Sequence, residues 1–228
     1  MTITHSPGHA LVRITPTSAS ALTSTLLSRQ ERRRLSLFKS PDDAVRHASG
    51  RVLARQVVAE FTGHCPASIH IDTVETGEQQ GRPLVDATGL HPRPHLSISH
   101  SGDWAAVAVA TTPCGIDIET EAAVTLLGRS PDAFTTAELI ELRAGTGFTD
   151  ATRWWTAKEA VAKALGCGFL SPATSPNRLD GRGDRVEAAG TAWAITDLPA
   201  PLAHRAALAT PADAPIAIDV RTTHQATP

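Results

Sequence analysis

From Trp154 to Gly166 the chain reads Trp-Trp-Thr-Ala-Lys-Glu-Ala-Val-Ala-Lys-Ala-Leu-Gly, with no proline and no glycine before the last position. Alanine, lysine, glutamate and leucine favour helix and the closing glycine is a stop signal, so the stretch predicts a helix over 151–165. A helix puts residues four apart on one face, and here those residues are Glu159 and Lys163. Alone, such a pair fits a solvated ion pair on an exposed face. Its meaning depends on what lies opposite.

The second informative stretch is Gly115-Ile116-Asp117-Ile118-Glu119. Strand period two sends Asp117 and Glu119 to one side and Ile116 and Ile118 to the other, which also describes an ordinary half-buried strand with one wet face. If strand and helix meet, three carboxylates converge with a lysine. That is a hard, oxygen-only donor set of the kind Mg2+ accepts when a substrate phosphate completes it. No Cys or His residues stand nearby at zinc-like spacing.

With 228 residues and 41% hydrophobic content the chain can bury a sizeable core, as one large or two small domains. No apolar run approaches the roughly 20 residues that span a bilayer, and the N-terminus carries no basic-then-apolar signal pattern, so a soluble, cytoplasmic protein is expected. Cys65, Cys114 and Cys167 are few and far apart, which suits a reducing compartment better than a disulfide framework. The net charge of −2 argues against a general nucleic-acid binder. The charge is uneven, however: between Arg29 and Arg55 stand eight basic residues against three acidic ones. Arginine grips phosphate oxygens in bidentate geometry, so some of these suit a phosphate-rich ligand while the others fit a solvated helix face.

Along the chain, a short strand is expected near Leu11 to Ile14, then a helix over 21–35 and a second over Ala44 to Phe61, started at Pro41 with Ser40 or an Asp as cap. Ile69 to Ile71 reads as a strand and Gly77 to Gly81 as a turn. Leu96 to Ser99 and Trp104 to Thr111 form a hairpin before the acidic strand. Beyond it come a 121–127 segment, a helix over Ala137 to Arg143 capped by Thr135 or Thr136, the long helix, and strands near 191–196, 205–209 and 216–221. Helices followed by antiparallel strands predict an α+β fold, not a doubly wound parallel sheet. Trp154, Trp155 and Lys158 are read as structural, with the tryptophans packing the long helix onto the core.

These motifs resemble the 4′-phosphopantetheinyl transferases, in particular the longer class typified by the surfactin-synthetase activator. Gly115 to Glu119 followed by Trp155-Thr-Ala-Lys-Glu-Ala-Val-Ala-Lys163 resembles that family's bipartite motif. The run His95-Leu-Ser-Ile-Ser-His-Ser-Gly-Asp103 is similar to its Ser-His segment, and Gly81-Arg82-Pro83 to its Gly-Lys-Pro element, with arginine where lysine is usual. The resemblance covers residues 46 to 170 and implies a pseudo-twofold pair of α+β subdomains, 1–112 and 113–228, with the active site between them. It implies transfer of the phosphopantetheine arm of coenzyme A to a serine of an acyl or peptidyl carrier protein, with release of adenosine 3′,5′-bisphosphate. It places Mg2+, or Mn2+, on Asp117, Glu119 and Glu159. Lys163 falls on the phosphates, and Glu159 is the candidate base, directly or through metal-bound water. Arg46, Arg82, Ser99 and His100 fall where the family contacts coenzyme A, Arg46 at its 3′-phosphate. Arg29 and Arg33 are weaker matches to basic residues of the first helix. Carrier docking is expected after Glu119, at Val124, Leu126, Leu127 and Phe134. The family expectation is a monomer.

Two other readings use the same residues. A Mg2+-dependent phosphoesterase or nuclease can also employ Asp-x-Glu with a helical Glu-Lys pair, needing no protein acceptor. A non-catalytic carrier-binding relative would keep the fold without turnover, although retention of Asp117, Glu119, Glu159 and Lys163 argues against it.

Overall fold

A computed structural model describes residues 8–75, 77, 79–86, 92–123, 134–144, 148–167, 177–178 and 184–223. The expected 121–127 segment lies within the described residues only as far as residue 123.

Two sheets carry the architecture. The first has strand order β11-β1-β5-β4, from Ile216–Thr222, Gly8–Pro16, Trp104–Ala110 and His95–Ser101. The second has order β6-β10-β9-β8-β7, from Gly115–Thr120, His204–Pro211, Thr191–Leu198, Arg185–Ala188 and Asn177–Arg178. A separate hairpin pairs β2, His70–Thr73, with β3, Pro83–Asp86. Pairing is antiparallel throughout except between β1 and β11, so the α+β expectation holds. That parallel pair returns the last strand among the described residues to the first sheet, a placement that local patterning does not reveal.

The period of two along the strands builds the layers. On β5, Ala105, Val107 and Val109 pack with Leu53, Ala54, Val57 and Val58 of α2, the helix Pro41–Thr62. The alternate residues Ala106, Ala108 and Ala110 pack with Ile116, Ile118, Ala206 and Leu208 of the second sheet. The far side of that sheet offers Ala207, Ala209, Ile195 and Trp193 to Ala157, Ala160, Val161 and Ala164 of the long helix Phe148–Leu165. The result is helix, sheet, sheet, helix, with small alanines letting the layers approach closely.

The expected helix over 21–35 is broken. A 3-10 turn occupies Ala19–Thr23, and α1 runs only Arg29–Leu35. Serine hydroxyls explain the break: Ser24 accepts from the Leu26 N–H, and Ser28 accepts from the Glu31 N–H while the Glu31 carboxylate takes the Ser28 N–H. Ser40 caps α2 with Pro41 in its first turn. The helix α3, Thr136–Arg143, starts from a reciprocal bond pair between Thr135 and Glu138, and the long helix is α4.

Candidate active site

Gly115 sets the geometry. A Cβ there would collide with the Ala160 carbonyl oxygen and the Ala164 amide nitrogen, so only glycine lets α4 lie directly on the start of β6. Glu159 and Lys163 each immediately precede one of these two contact residues on α4, and the acidic residues of β6 follow Gly115 at alternate positions.

Asp117 is 1% exposed, and its Oδ1 accepts from Lys163 Nζ at 2.6 Å and from the Ser99 hydroxyl at 2.8 Å. Lys163 Nζ also donates to Ser99 Oγ at 2.8 Å. Glu119 accepts the Ser101 hydroxyl proton at 2.7 Å. Burial acts to depress the Lys163 pKa, but the charges of Asp117 and Glu159 outweigh it and hold the ammonium above its ordinary value. Glu119 is raised by loss of hydration and by the Asp117 charge, against the opposing pull of the Ser101 hydrogen bond and Lys163. Loss of hydration lifts Glu159 furthest, to about 7, with Asp117 and Glu119 adding to it and Lys163 opposing. The strand carboxylates and the helix pair thus occupy one electrostatic site.

Asp117 Oδ2 is buried without a hydrogen-bond partner among the described residues. An orphaned carboxylate oxygen beside two further carboxylates is the donor chemistry of a hard cation, and in this respect the residues fit Mg2+ or Mn2+. As the side chains stand, no group of three His, Cys, Asp or Glu residues among those described is already disposed around a metal position. Lys163 supplies positive charge on the opposite oxygen of the same carboxylate.

Residues 15–112 match the profile described as "4′-phosphopantetheinyl transferase, N-terminal", and residues 113–211 that of the 4′-phosphopantetheinyl transferase superfamily. The chain belongs to the 4′-phosphopantetheinyl transferase superfamily. It is 30% identical over 152 residues to a 4′-phosphopantetheinyl transferase of Bacillus subtilis, covering 65% of this chain and 64% of that protein. It is 29% identical over 154 residues to the 4′-phosphopantetheinyl transferase Sfp of Bacillus subtilis (strain 168), covering 66% and 65%. A phosphopantetheinyl transferase of Thraustochytrium sp. is 30% identical over 162 residues, covering 63% and 54%. The matches thus span less than two thirds of each of these relatives.

In this superfamily member the remaining expected residues are spread around the carboxylate site. Arg46 on α2 donates to the Gly102 carbonyl oxygen at the β4–β5 turn and to Asp43. Arg82 lies with its stem against Gly166 at the end of α4, where a Cβ would stand 2.8 Å from Arg82 Cδ. Gly166, with φ +76°, both closes the helix and makes room for Arg82. Strand alternation separates the Ser-His pair. Ser99 is buried with its hydroxyl already bonded to Ile118, Lys163 and Asp117, while His100 is exposed on the other face. Partial loss of hydration and the Lys163 and Arg46 cations hold His100 below its ordinary pKa.

A cleft of about 690 Å³ opens between α1, α2 and the β2–β3 hairpin, lined by Arg29, Arg34, His47, Arg51, His70 and Gly81 among others. Arg29 lines it, but Arg33 does not; Arg34 takes that place. His47, absent from the motif reading, has a buried Nε2 without a hydrogen-bond partner among the described residues, and burial together with the Arg34 and Arg51 cations depresses its pKa to about 4. Arg51 and Arg55 are occupied by Glu31, with Arg51 Nε 2.5 Å from Oε1 and Arg55 Nη2 2.9 Å from Oε2.

Of the residues expected to meet a carrier, Val124, Leu126 and Leu127 lie outside the described residues. Phe134 is 3% exposed, packed with Ala151 and Trp154 and edge-on to Trp155, so it belongs to the interior. Lys158 is structural as read: its Nζ lies 2.6 Å from Glu138 Oε2 in the buried interior. No helix among the described residues is long and apolar enough to cross a membrane.

Proposed function

We propose that this protein transfers the 4′-phosphopantetheine arm of coenzyme A to a serine hydroxyl of an apo acyl or peptidyl carrier protein. The observation that carries this reading is the meeting of Asp117 and Glu119 from β6 with Glu159 and Lys163 from α4, in a chain of the phosphopantetheinyl transferase superfamily. In the reaction the serine oxygen bonds to the phosphorus that carries the pantetheine arm. The pyrophosphate P–O bond breaks, and adenosine 3′,5′-bisphosphate leaves. Glu159, lifted to about 7 by burial and neighbouring carboxylates, is poised to take the serine proton near neutral pH. Lys163 holds positive charge at Asp117 and stands ready for the transferring phosphate.

Asp117, Glu119 and Glu159 would hold Mg2+ or Mn2+, which when bound supplies neutralisation of the pyrophosphate and of the charge that develops on it. The cleft beside α1 and α2 supports placing the 3′-phosphate end of coenzyme A against Arg29, Arg34 and His47, with Arg46 next to His47 on α2 as a further candidate for that phosphate and Arg82 on the pyrophosphate side. The carrier would dock to the chain that follows Glu119. The two long helices on the outer faces of two largely antiparallel sheets support a pseudo-twofold arrangement of halves 1–112 and 113–228, with β11 returned to the first sheet in parallel with β1. A cytoplasmic monomer suits this reading.

Thermal denaturation tests the ligand half of the proposal. Coenzyme A with Mg2+ should raise the melting temperature through linkage, and dephospho-coenzyme A should raise it less. An unchanged melting temperature at millimolar coenzyme A would contradict it.

A further inference from the structure

The acidic strand β6 is an edge strand, so its outward backbone N–H groups have no neighbouring strand in its own sheet. Three serines of β4 at alternate positions take that role. Ser97 Oγ accepts from the Ile116 N–H at 3.0 Å, Ser99 Oγ from Ile118 at 3.3 Å, and Ser101 Oγ from Thr120 at 3.1 Å. A serine hydroxyl has one proton to give once its oxygen is accepting. The residue preceding the N–H donor on the three rungs is Gly115, Asp117 and Glu119 in turn. Ser99 gives it to Asp117 at 2.8 Å and Ser101 gives it to Glu119 at 2.7 Å, while the Ser97 rung faces a glycine and has no carboxylate to hold.

We propose that Ser101 is a positioning residue that holds the Glu119 carboxylate in its working orientation, through a hydroxyl anchored on the β6 backbone at Thr120. This rests on the transferase reading above. Ser99 has Lys163 as a further partner, so Asp117 is held from two directions. Among the described residues, the one side chain that hydrogen-bonds Glu119 is Ser101, which makes this the rung on which its aim depends. Ser101 itself is 8% exposed and Glu119 is half-buried, so the hydroxyl end of the rung is shielded from water.

The test compares wild type with Ser101→Ala, Ser101→Thr and Ser97→Ala. Each full-length protein is titrated with Mn2+ by electron paramagnetic resonance in the presence of coenzyme A and without carrier, and is assayed separately for carrier modification. Removing an outer partner of a metal-holding carboxylate typically lowers affinity by about tenfold or more. Ser101→Ala should therefore weaken Mn2+ binding about tenfold and lower kcat with little change in the KM for coenzyme A. Ser101→Thr keeps the hydroxyl and should restore most of both. Ser97→Ala should lower the urea midpoint as much as Ser101→Ala does, yet keep Mn2+ affinity within twofold of wild type. Wild-type affinity in Ser101→Ala, or an equal loss in Ser97→Ala, overturns the positioning role while leaving the transferase reading intact. A wild-type protein that neither binds Mn2+ nor modifies a carrier overturns both.

Discussion

Lys163 Nζ lies 2.6 Å from Asp117 Oδ1 and 2.8 Å from Ser99 Oγ, joining the long helix to the acidic strand at the point where the two sheets meet. The bond ties a cation to one oxygen of a buried carboxylate and leaves the other oxygen without a partner among the described residues. Asp117→Asn keeps the shape and removes the charge. It should lower carrier modification by at least about a hundredfold, the scale of losing one electrostatic contact to the developing charge, while far-ultraviolet circular dichroism stays native. Activity within threefold of wild type would remove Asp117 from the site.

Glu159 has the opposite character. Its folded pKa is raised from 4.5 to about 7, so between those values the folded state binds more protons than the unfolded one. Stability contributed by the protonated carboxyl is full below pH 4.5 and is lost as pH rises through about 7. Glu159→Gln should abolish transfer yet stabilise the fold at pH 8 in EDTA by up to about 3 kcal/mol, at roughly 1.4 kcal/mol per pH unit, and so raise the melting temperature there. The advantage should shrink towards pH 5. A melting curve of the variant at or below wild type at pH 8 would contradict the buried-carboxylate account.

Glu31 provides the acid-side counterpart. Burial acts to raise its pKa, but hydrogen bonds from Arg55, the Ser28 backbone and Arg51 outweigh this and hold it at about 2. Its contribution to stability is present above 4.5 and is lost as pH falls towards about 2. Glu31→Gln leaves two buried guanidinium groups uncompensated and should destabilise the fold by about 3 kcal/mol in urea unfolding at pH 7. It should also empty the wall of the cleft of its order and weaken coenzyme A binding.

Much of the site is written locally in the chain. The alternation in Gly115 to Glu119 and the four-residue spacing of Glu159 and Lys163 are short-range patterns, and each reports the face on which a side chain stands. Ser97, Ser99 and Ser101 show the same period, but nothing local says that their partners are the N–H groups of another sheet's edge strand. His47 and the Glu31, Arg51 and Arg55 cluster were hidden for a similar reason, since α1 meets α2 only in the folded chain. The pairing of β11 with β1 joins Ile216 to Gly8 across nearly the whole sequence, beyond the reach of any periodicity.

Gly115 offers a prediction about assembly of the site. Gly115→Ala forces a methyl group against the α4 backbone, which cannot move as a side chain can. The variant should lose about 3 kcal/mol of stability and more than nine tenths of its activity, because Glu159 and Lys163 travel with the helix. A stable, fully active Gly115→Ala protein would contradict the close contact.

Arg46 tests where the nucleotide end of coenzyme A lies. Arg46→Ala should raise the KM for coenzyme A by about tenfold, the loss of one charge-assisted phosphate contact, and change that for dephospho-coenzyme A little. An equal effect on both substrates would place Arg46 away from the 3′-phosphate.

The central claim is tested most directly by intact-mass spectrometry of apo acyl and peptidyl carrier proteins incubated with this protein, coenzyme A and Mg2+, beside an EDTA control. The account predicts a gain of one phosphopantetheine on the carrier that EDTA abolishes. Coenzyme A broken down with every carrier still unmodified would contradict it and establish a phosphoesterase in its place.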